Sequence, residues 1–254
     1  MIERDEVDGG AIAVVRLAHG KVNALDLELL RAITATFREL DGSDHRAVVF
    51  TGAGRAFSAG VDLWRLVDGG ADYVRAFLPA LNECFETVFN TGKPVVAAVN
   101  GHAIAGGCIL AACCDRRLMA EGGGRIGVTE LLVGVPFPLT PLSILGYAAG
   151  SRHARDAVLT GTTYEAAAAV TRGLADAAVT PEVLLDTAIG EARRLVEVTP
   201  PDTFRLTKAQ LHLEVNERLA RHRPANDPLA TELWERRVAD GTIRSYMERV
   251  TTRR

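Results

Sequence analysis

The sequence predicts an α/β fold in which parallel strands alternate with helices, followed by a helical C-terminal extension. Three observations carry this. Short apolar runs, such as residues 47–51 and 94–100, recur between segments whose apolar residues repeat every three or four positions. Two of those runs empty into loops of small residues, AFSAGVDL at 56–63 and GHAIAGG at 101–107. Beyond a Thr199-Pro200-Pro201 break, the chain becomes charged and amphipathic, without further strand signals.

Taken in order, residues 11–17 read as a strand bounded by Gly9-Gly10 and His19-Gly20. Asp26 then opens a helix with Leu29, Leu30, Ile33, Phe37 and Leu40 on one face. Residues 47–51 form the next strand. Val74, Phe77, Leu78, Leu81, Phe85 and Val88 trace a second amphipathic helix. Pro79 is expected to kink or split it, because proline removes a backbone donor. Residues 94–100 read as a buried strand, and Gly106 turns the chain into 108–114. Helical signals from 151 end in a strand-like run at 174–179. Leu184, Leu185, Ile189, Ala192 and Leu195 give 181–198 a helical stripe. Two more amphipathic helices are expected at 206–219 and 229–247. The chain thus divides into a core, 1–198, and a helical extension, 199–254. The extension is expected to pack on the core or on a neighbouring subunit and to serve oligomerisation.

The chemistry is concentrated in the two loops. Small residues let a backbone approach a ligand closely, so that its N–H groups can donate to it directly. Two such loops can aim two donors at one oxygen, the geometry that stabilises a carbonyl oxygen turning negative. AFSAGVDL at 56–63, GHAIAGG with the following CILA at 101–111, and KVNAL at 21–25 together resemble the crotonase superfamily of enoyl-CoA hydratases and isomerases. The resemblance runs in order from about residue 10 to about residue 180. It implies a spiral of ββα units and an acyl-CoA thioester as substrate, with coenzyme A entering only as part of that thioester and no bound cofactor or metal. It also implies that the N–H groups of Val61 and Gly106 form the oxyanion hole. Lys21, Arg55, Ala59 and Lys208 are the implied coenzyme A-binding positions.

Hydratases of this family hold two glutamates near the reacting carbons. The matching positions here are Ile109 and Glu130, so one carboxylate is missing. Glu130 stands beside Val128, Leu131, Leu132 and Val133, and burial among them is expected to raise its pKa toward a value useful for acid–base work. Pro138 occupies the place of the further carboxylate of a dienoyl-CoA isomerase. The proline-rich stretch 135–141 is expected to line the acyl pocket. With one carboxylate, double-bond isomerisation is favoured over hydration, and the alternative is a non-catalytic acyl-CoA-binding protein of the same fold. His102 and Asp62 read as a turn histidine and a helix cap rather than as catalysts.

Composition narrows the remaining classes. A net charge of −3 with acids and bases interspersed offers no nucleic-acid surface. No stretch approaches 18 uncharged apolar residues, so no membrane span is expected. The acidic opening, MIERDE, resembles neither a secretory nor a transit peptide. Cys84, Cys108, Cys113 and Cys114 form no C-x-x-C pair and read as reduced thiols of a cytoplasmic protein. The resemblance adds a homotrimer or a dimer of trimers.

Overall fold

The computed structural model describes residues 1–252. Its largest feature is a six-stranded sheet of β1 (Ile2–Val7), β2 (Ile12–Leu17), β3 (Ala47–Gly52), β5 (Val95–Val99), β7 (Arg116–Ala120) and β10 (Ala177–Val179), in that order. Only β1 runs antiparallel, through its pairing with β2. A second sheet holds β4 (Ala56–Ser58), β6 (His102–Ile104), β8 (Ile126–Gly127) and β9 (Thr163–Tyr164). The two sheets are filled alternately. Strands β3, β5 and β7 each pass into β4, β6 and β8 of the small sheet, and each pair is followed by a helix. Those helices are α2 (Leu63–Phe89), α3 (Gly106–Ala112) and α4 (Glu130–Val133). This is three turns of a ββα spiral, as expected.

The central strands β2, β3 and β5 are buried on both faces, which is why they read as largely unbroken apolar runs rather than alternating ones. On one face Val15, Phe50, Ala97 and Met119 meet α1 (Leu27–Asp41), α2 and α3. On the other, Val14, Val49, Val96 and Leu118 are covered by Leu184, Ala188 and Ala192 of α8 (Leu184–Val198). Between α4 and α8 lie α5 (Leu139–Ala149), α6 (Ser151–Thr160) and α7 (Ala166–Thr171). Pro141 falls in the first turn of α5, where backbone N–H groups lack helical acceptors in any case.

Two helical expectations are corrected. Helix α2 runs through Pro79 and breaks instead at Gly70, whose φ of +63° suits glycine. Pro79 lies on the exposed face, so water can reach the carbonyl that its ring leaves unbonded. In the extension, the helices are α9 (Pro201–Leu211), α10 (Leu213–Ala239) and α11 (Thr242–Thr252), not 206–219 and 229–247. Helix α10 continues through Pro224 and Pro228, four residues apart and both exposed. The extension folds back on its own core: α10 packs against α2 and α5, and α11 against α2 and α4. Among the described residues, no helix is long and apolar enough to cross a membrane.

Candidate active site

The two small-residue loops meet in space. Leu25 pairs with Val61 as an isolated parallel bridge: Leu25 N–H donates to Gly60 O at 2.8 Å, and Asp62 N–H to Leu25 O at 2.9 Å. With both neighbours bonded to Leu25, the N–H of Val61 itself points away from Leu25, and Val61 lines a cleft. Gly106 is the first residue of α3, so its N–H precedes the first helical acceptor. Among the described residues, neither N–H donates to a backbone carbonyl. A methyl on Gly60, at φ +84°, would stand 2.4 Å from Ile104 O and 3.2 Å from Gly106 N. On Gly107 it would stand 2.2 Å from Ser58 O. Only glycine permits this approach of the two loops.

Asn23 ties the first loop down, which local sequence reasoning did not anticipate. It is buried at φ +52°, a left-handed conformation that Asn tolerates better than most residues. Its Nδ2 donates to Ala53 O, Ala56 O and Phe57 O, and Ser58 Oγ donates to Asn23 O at 2.7 Å. On the second loop, Ala105 adopts φ +50°, ψ −120°, a strained conformation for an L-residue, directly before Gly106.

A cleft of about 1070 Å³ opens over these loops and brings together Arg55, Ala59, Val61, Asp62, His102 and Glu130. Glu130 begins α4. Its Oε2 is buried with no hydrogen-bond partner. Desolvation pushes the carboxyl up to about 7, against a smaller opposing pull from the N–H groups of Glu130 and Thr129. Of the four apolar neighbours expected to bury it, Val128 and Val133 are buried, whereas Leu131 and Leu132 face solvent, 42% and 52% exposed. Ile109 is fully buried in the core and gives the cleft no polar group. Asp62 caps α2 by accepting from Arg65 N–H at 3.1 Å. His102 Nδ1 accepts from Arg125 N–H at 3.3 Å, as a turn histidine does.

The basic residues separate. Arg55 is exposed at the cleft; Lys21 is also exposed, and its carbonyl lies 4.0 Å from where a methyl on the cleft-lining Gly54 would stand. Ala59 lines the cleft, with its N–H held by Val22 O. Lys208 is not brought to the cleft. It is buried, and its Nζ donates to Asp115 Oδ2 at 2.8 Å and to Lys93 O at 3.3 Å. That corrects its placement as a coenzyme A contact: its charge is spent inside the protein. Of the proline-rich stretch, Val135 lines the cleft, while Pro136 O accepts from Trp234 Nε1 at 3.0 Å. Trp234, Tyr246, Met247 and Val250 of the extension complete the wall. Among the described residues, no His, Cys, Asp or Glu group is gathered to hold a metal. Among the described residues, the site thus offers two backbone N–H groups that donate to no backbone carbonyl, and a cleft-lining carboxyl with raised proton affinity.

Comparison with known proteins identifies the family and the fold. The family model for enoyl-CoA hydratase/isomerase matches residues 8–253. A Thermus thermophilus protein provisionally named enoyl-CoA hydratase is 37% identical over 211 residues, 81% of this chain and 82% of its own. Enoyl-CoA delta isomerase 1, mitochondrial, of Mus musculus is 29% identical over 252 residues, 96% of this chain and 86% of its own. The crystal structure of human mitochondrial delta3-delta2-enoyl-CoA isomerase superposes with a TM-score of 0.92 at 26% identity, covering 100% of this chain and 99% of that one. The fold is the crotonase fold, and the chain belongs to the enoyl-CoA hydratase/isomerase family.

Proposed function

We propose that this protein shifts the double bond of an enoyl-CoA thioester, converting a 3-enoyl to a 2-enoyl ester. The thioester oxygen sits between the N–H groups of Val61 and Gly106. Glu130, ionised, removes a proton from the carbon next to the carbonyl. The C–H electron pair moves into the carbon framework and charge collects on the oxygen, where the two donors stabilise it. Glu130 then returns the proton two carbons further along, and the double bond is left conjugated with the carbonyl. One base suffices because the proton leaves and returns on the same carboxyl. Water addition would need a second group to hold the water, and position 109 supplies none.

The observation that carries this reading is the Glu130 carboxyl, whose Oε2 is buried without a hydrogen-bond partner, in the cleft that Val61 and Ala105, the residue before Gly106, also line. The relatives named isomerases support it; those named hydratases align as well. The test is turnover of 3-hexenoyl-CoA, followed by ultraviolet absorbance of the conjugated product, beside hydration of crotonyl-CoA. Isomerisation is expected, with hydration slow or absent, and Glu130→Gln should lower the isomerisation rate at least about 100-fold. Efficient crotonyl-CoA hydration would overturn the preference. Acyl-CoA binding without turnover of either ester would favour a binding protein. We also assign coenzyme A to the Arg55, Ala59 and Lys21 side of the cleft, and a trimeric assembly to the exposed apolar face of α5, α6 and α9. The four unpaired buried thiols support a reducing compartment such as the cytoplasm.

A further inference from the structure

The cleft has two chemically different ends. One is built of backbone and charge. A methyl on Gly101 would stand 2.1 Å from Arg55 O, and one on Gly124 would stand 2.8 Å from Gly101 O. Arg55, Gly101, His102 and the glycines at 122–124 therefore form one continuous wall. The other end is apolar and is made by the C-terminal extension. Helix α11 lies against α4, the helix that carries Glu130. A methyl on Gly134 would stand 2.7 Å from Thr242 Cγ2. Trp234 is 2% exposed and held by Pro136 O, so it forms a fixed floor. Val133, Val135, Tyr246, Met247 and Val250 complete this end.

A thioester whose oxygen rests between Val61 and Gly106 must send its two arms to these two ends. The charged, hydrogen-bonding arm matches the Arg55 wall, and the hydrocarbon arm matches the apolar end. We propose that the acyl chain runs past Glu130 into a socket closed by α11 of the same chain, and that Met247 and Val250 set the longest acyl chain accepted. This rests on the reading that an acyl-CoA thioester occupies the cleft. Trp234 is locked by its hydrogen bond. Met247 has three rotatable bonds and adapts to what it touches. Val250 stands at the outer rim, 38% exposed. Selectivity for length therefore resides in one turn of the last helix rather than in the residues around Glu130.

The test uses saturated acyl-CoA esters, which cannot be isomerised, so binding is read apart from chemistry. Butanoyl-, octanoyl- and dodecanoyl-CoA are titrated calorimetrically into the intact protein, Met247→Ala and Val250→Trp. For the intact protein, affinity should rise about fourfold per methylene until the socket is full and then level off. Met247→Ala should move the levelling point to longer chains and Val250→Trp to shorter ones. If Met247→Ala melts early, the exposed position 250 decides alone. Identical length profiles in folded variants, or affinity independent of chain length, would overturn the proposal. Absence of 3-enoyl-CoA turnover with shifted profiles intact would remove the isomerase reading and leave the socket standing. Absence of any acyl-CoA binding would remove both.

Discussion

A carboxyl that titrates near 7 in the folded chain and near about 4.3 in the unfolded one makes folding proton-linked at Glu130. Between those values the folded state binds more protons, so stability is fully present below about pH 4 and falls as pH rises toward 7, by on the order of 3 kcal/mol. Glu130→Gln keeps the shape and removes the charge. Its melting temperature should match the parent below about pH 4 and exceed it at pH 8; equal melting at pH 8 would show that the carboxyl is not desolvated. Turnover runs the other way, because the base acts only when ionised: the parent's kcat should rise with pH through about 7. Asn23 acts on the same chemistry through backbone. Asn23→Ala strands three carbonyls and frees the loop that carries Val61, so it should destabilise by at least about 2 kcal/mol in a urea titration. A loss under 0.5 kcal/mol would mean those bonds matter little. Glu130 was legible in the sequence because the resemblance placed it. The work of Asn23 was not, since its three acceptors lie 30 to 34 residues further along the chain. The strain at Ala105 left no local signal either, because alanine is at home in a helix and nothing in its neighbours demands a positive φ.

At the scale of elements, the strands and amphipathic helices were legible because burial on two faces or on one stripe writes a period into the sequence. What was not legible is how proline behaves when its ring points to solvent. Pro79, Pro224 and Pro228 all lie on exposed helix faces, where water replaces the lost partner, and the helices continue. Glycine at positive φ marks the breaks instead, inside α2 at Gly70 and between α10 and α11 at Gly241. Lys208 shows the same limit for charge. A lysine in a charged amphipathic tail reads as a solvated cation, but the ion pair with Asp115 inserts it under α9. Asp115 Oδ2 also accepts from Val95 N–H at 2.8 Å, so the pair anchors the extension to the start of β5. Removing one partner of a buried pair leaves an uncompensated charge, at about 3–5 kcal/mol. Lys208→Ala should therefore lower the melting temperature strongly, while KM for acyl-CoA in the surviving folded fraction stays close to the parent value. A raised KM with unchanged melting would return Lys208 to the substrate.

For the whole molecule, the extension answers only part of the demand for a partner that its amphipathic helices raise. Helices α10 and α11 cover α2, α4 and α5 of their own chain and enclose the cleft. A separate face stays open where α5, α6 and the junction of α9 with α10 converge. Tyr147, Leu159, Leu211 and Leu213 stand there 43%, 68%, 60% and 53% exposed. Tyr147, Leu159 and Leu211 line a groove of about 950 Å³ whose rim carries both Arg155, Arg218 and Arg221 and the acids Glu214 and Glu217. An apolar patch with a polar rim marks an association surface. The mixed-sign rim fits a copy of the same chain, because each acid on one copy can meet a base on the next. Light scattering at micromolar concentration should return about three times, or six times, the 27.2 kDa of one chain. Leu159→Asp combined with Leu211→Asp places two charges in the groove and should bring the mass down to a single chain with the far-ultraviolet circular dichroism intact. A parent mass of 27.2 kDa would remove the assembly. A double variant that keeps the parent's higher mass would move the interface to another face.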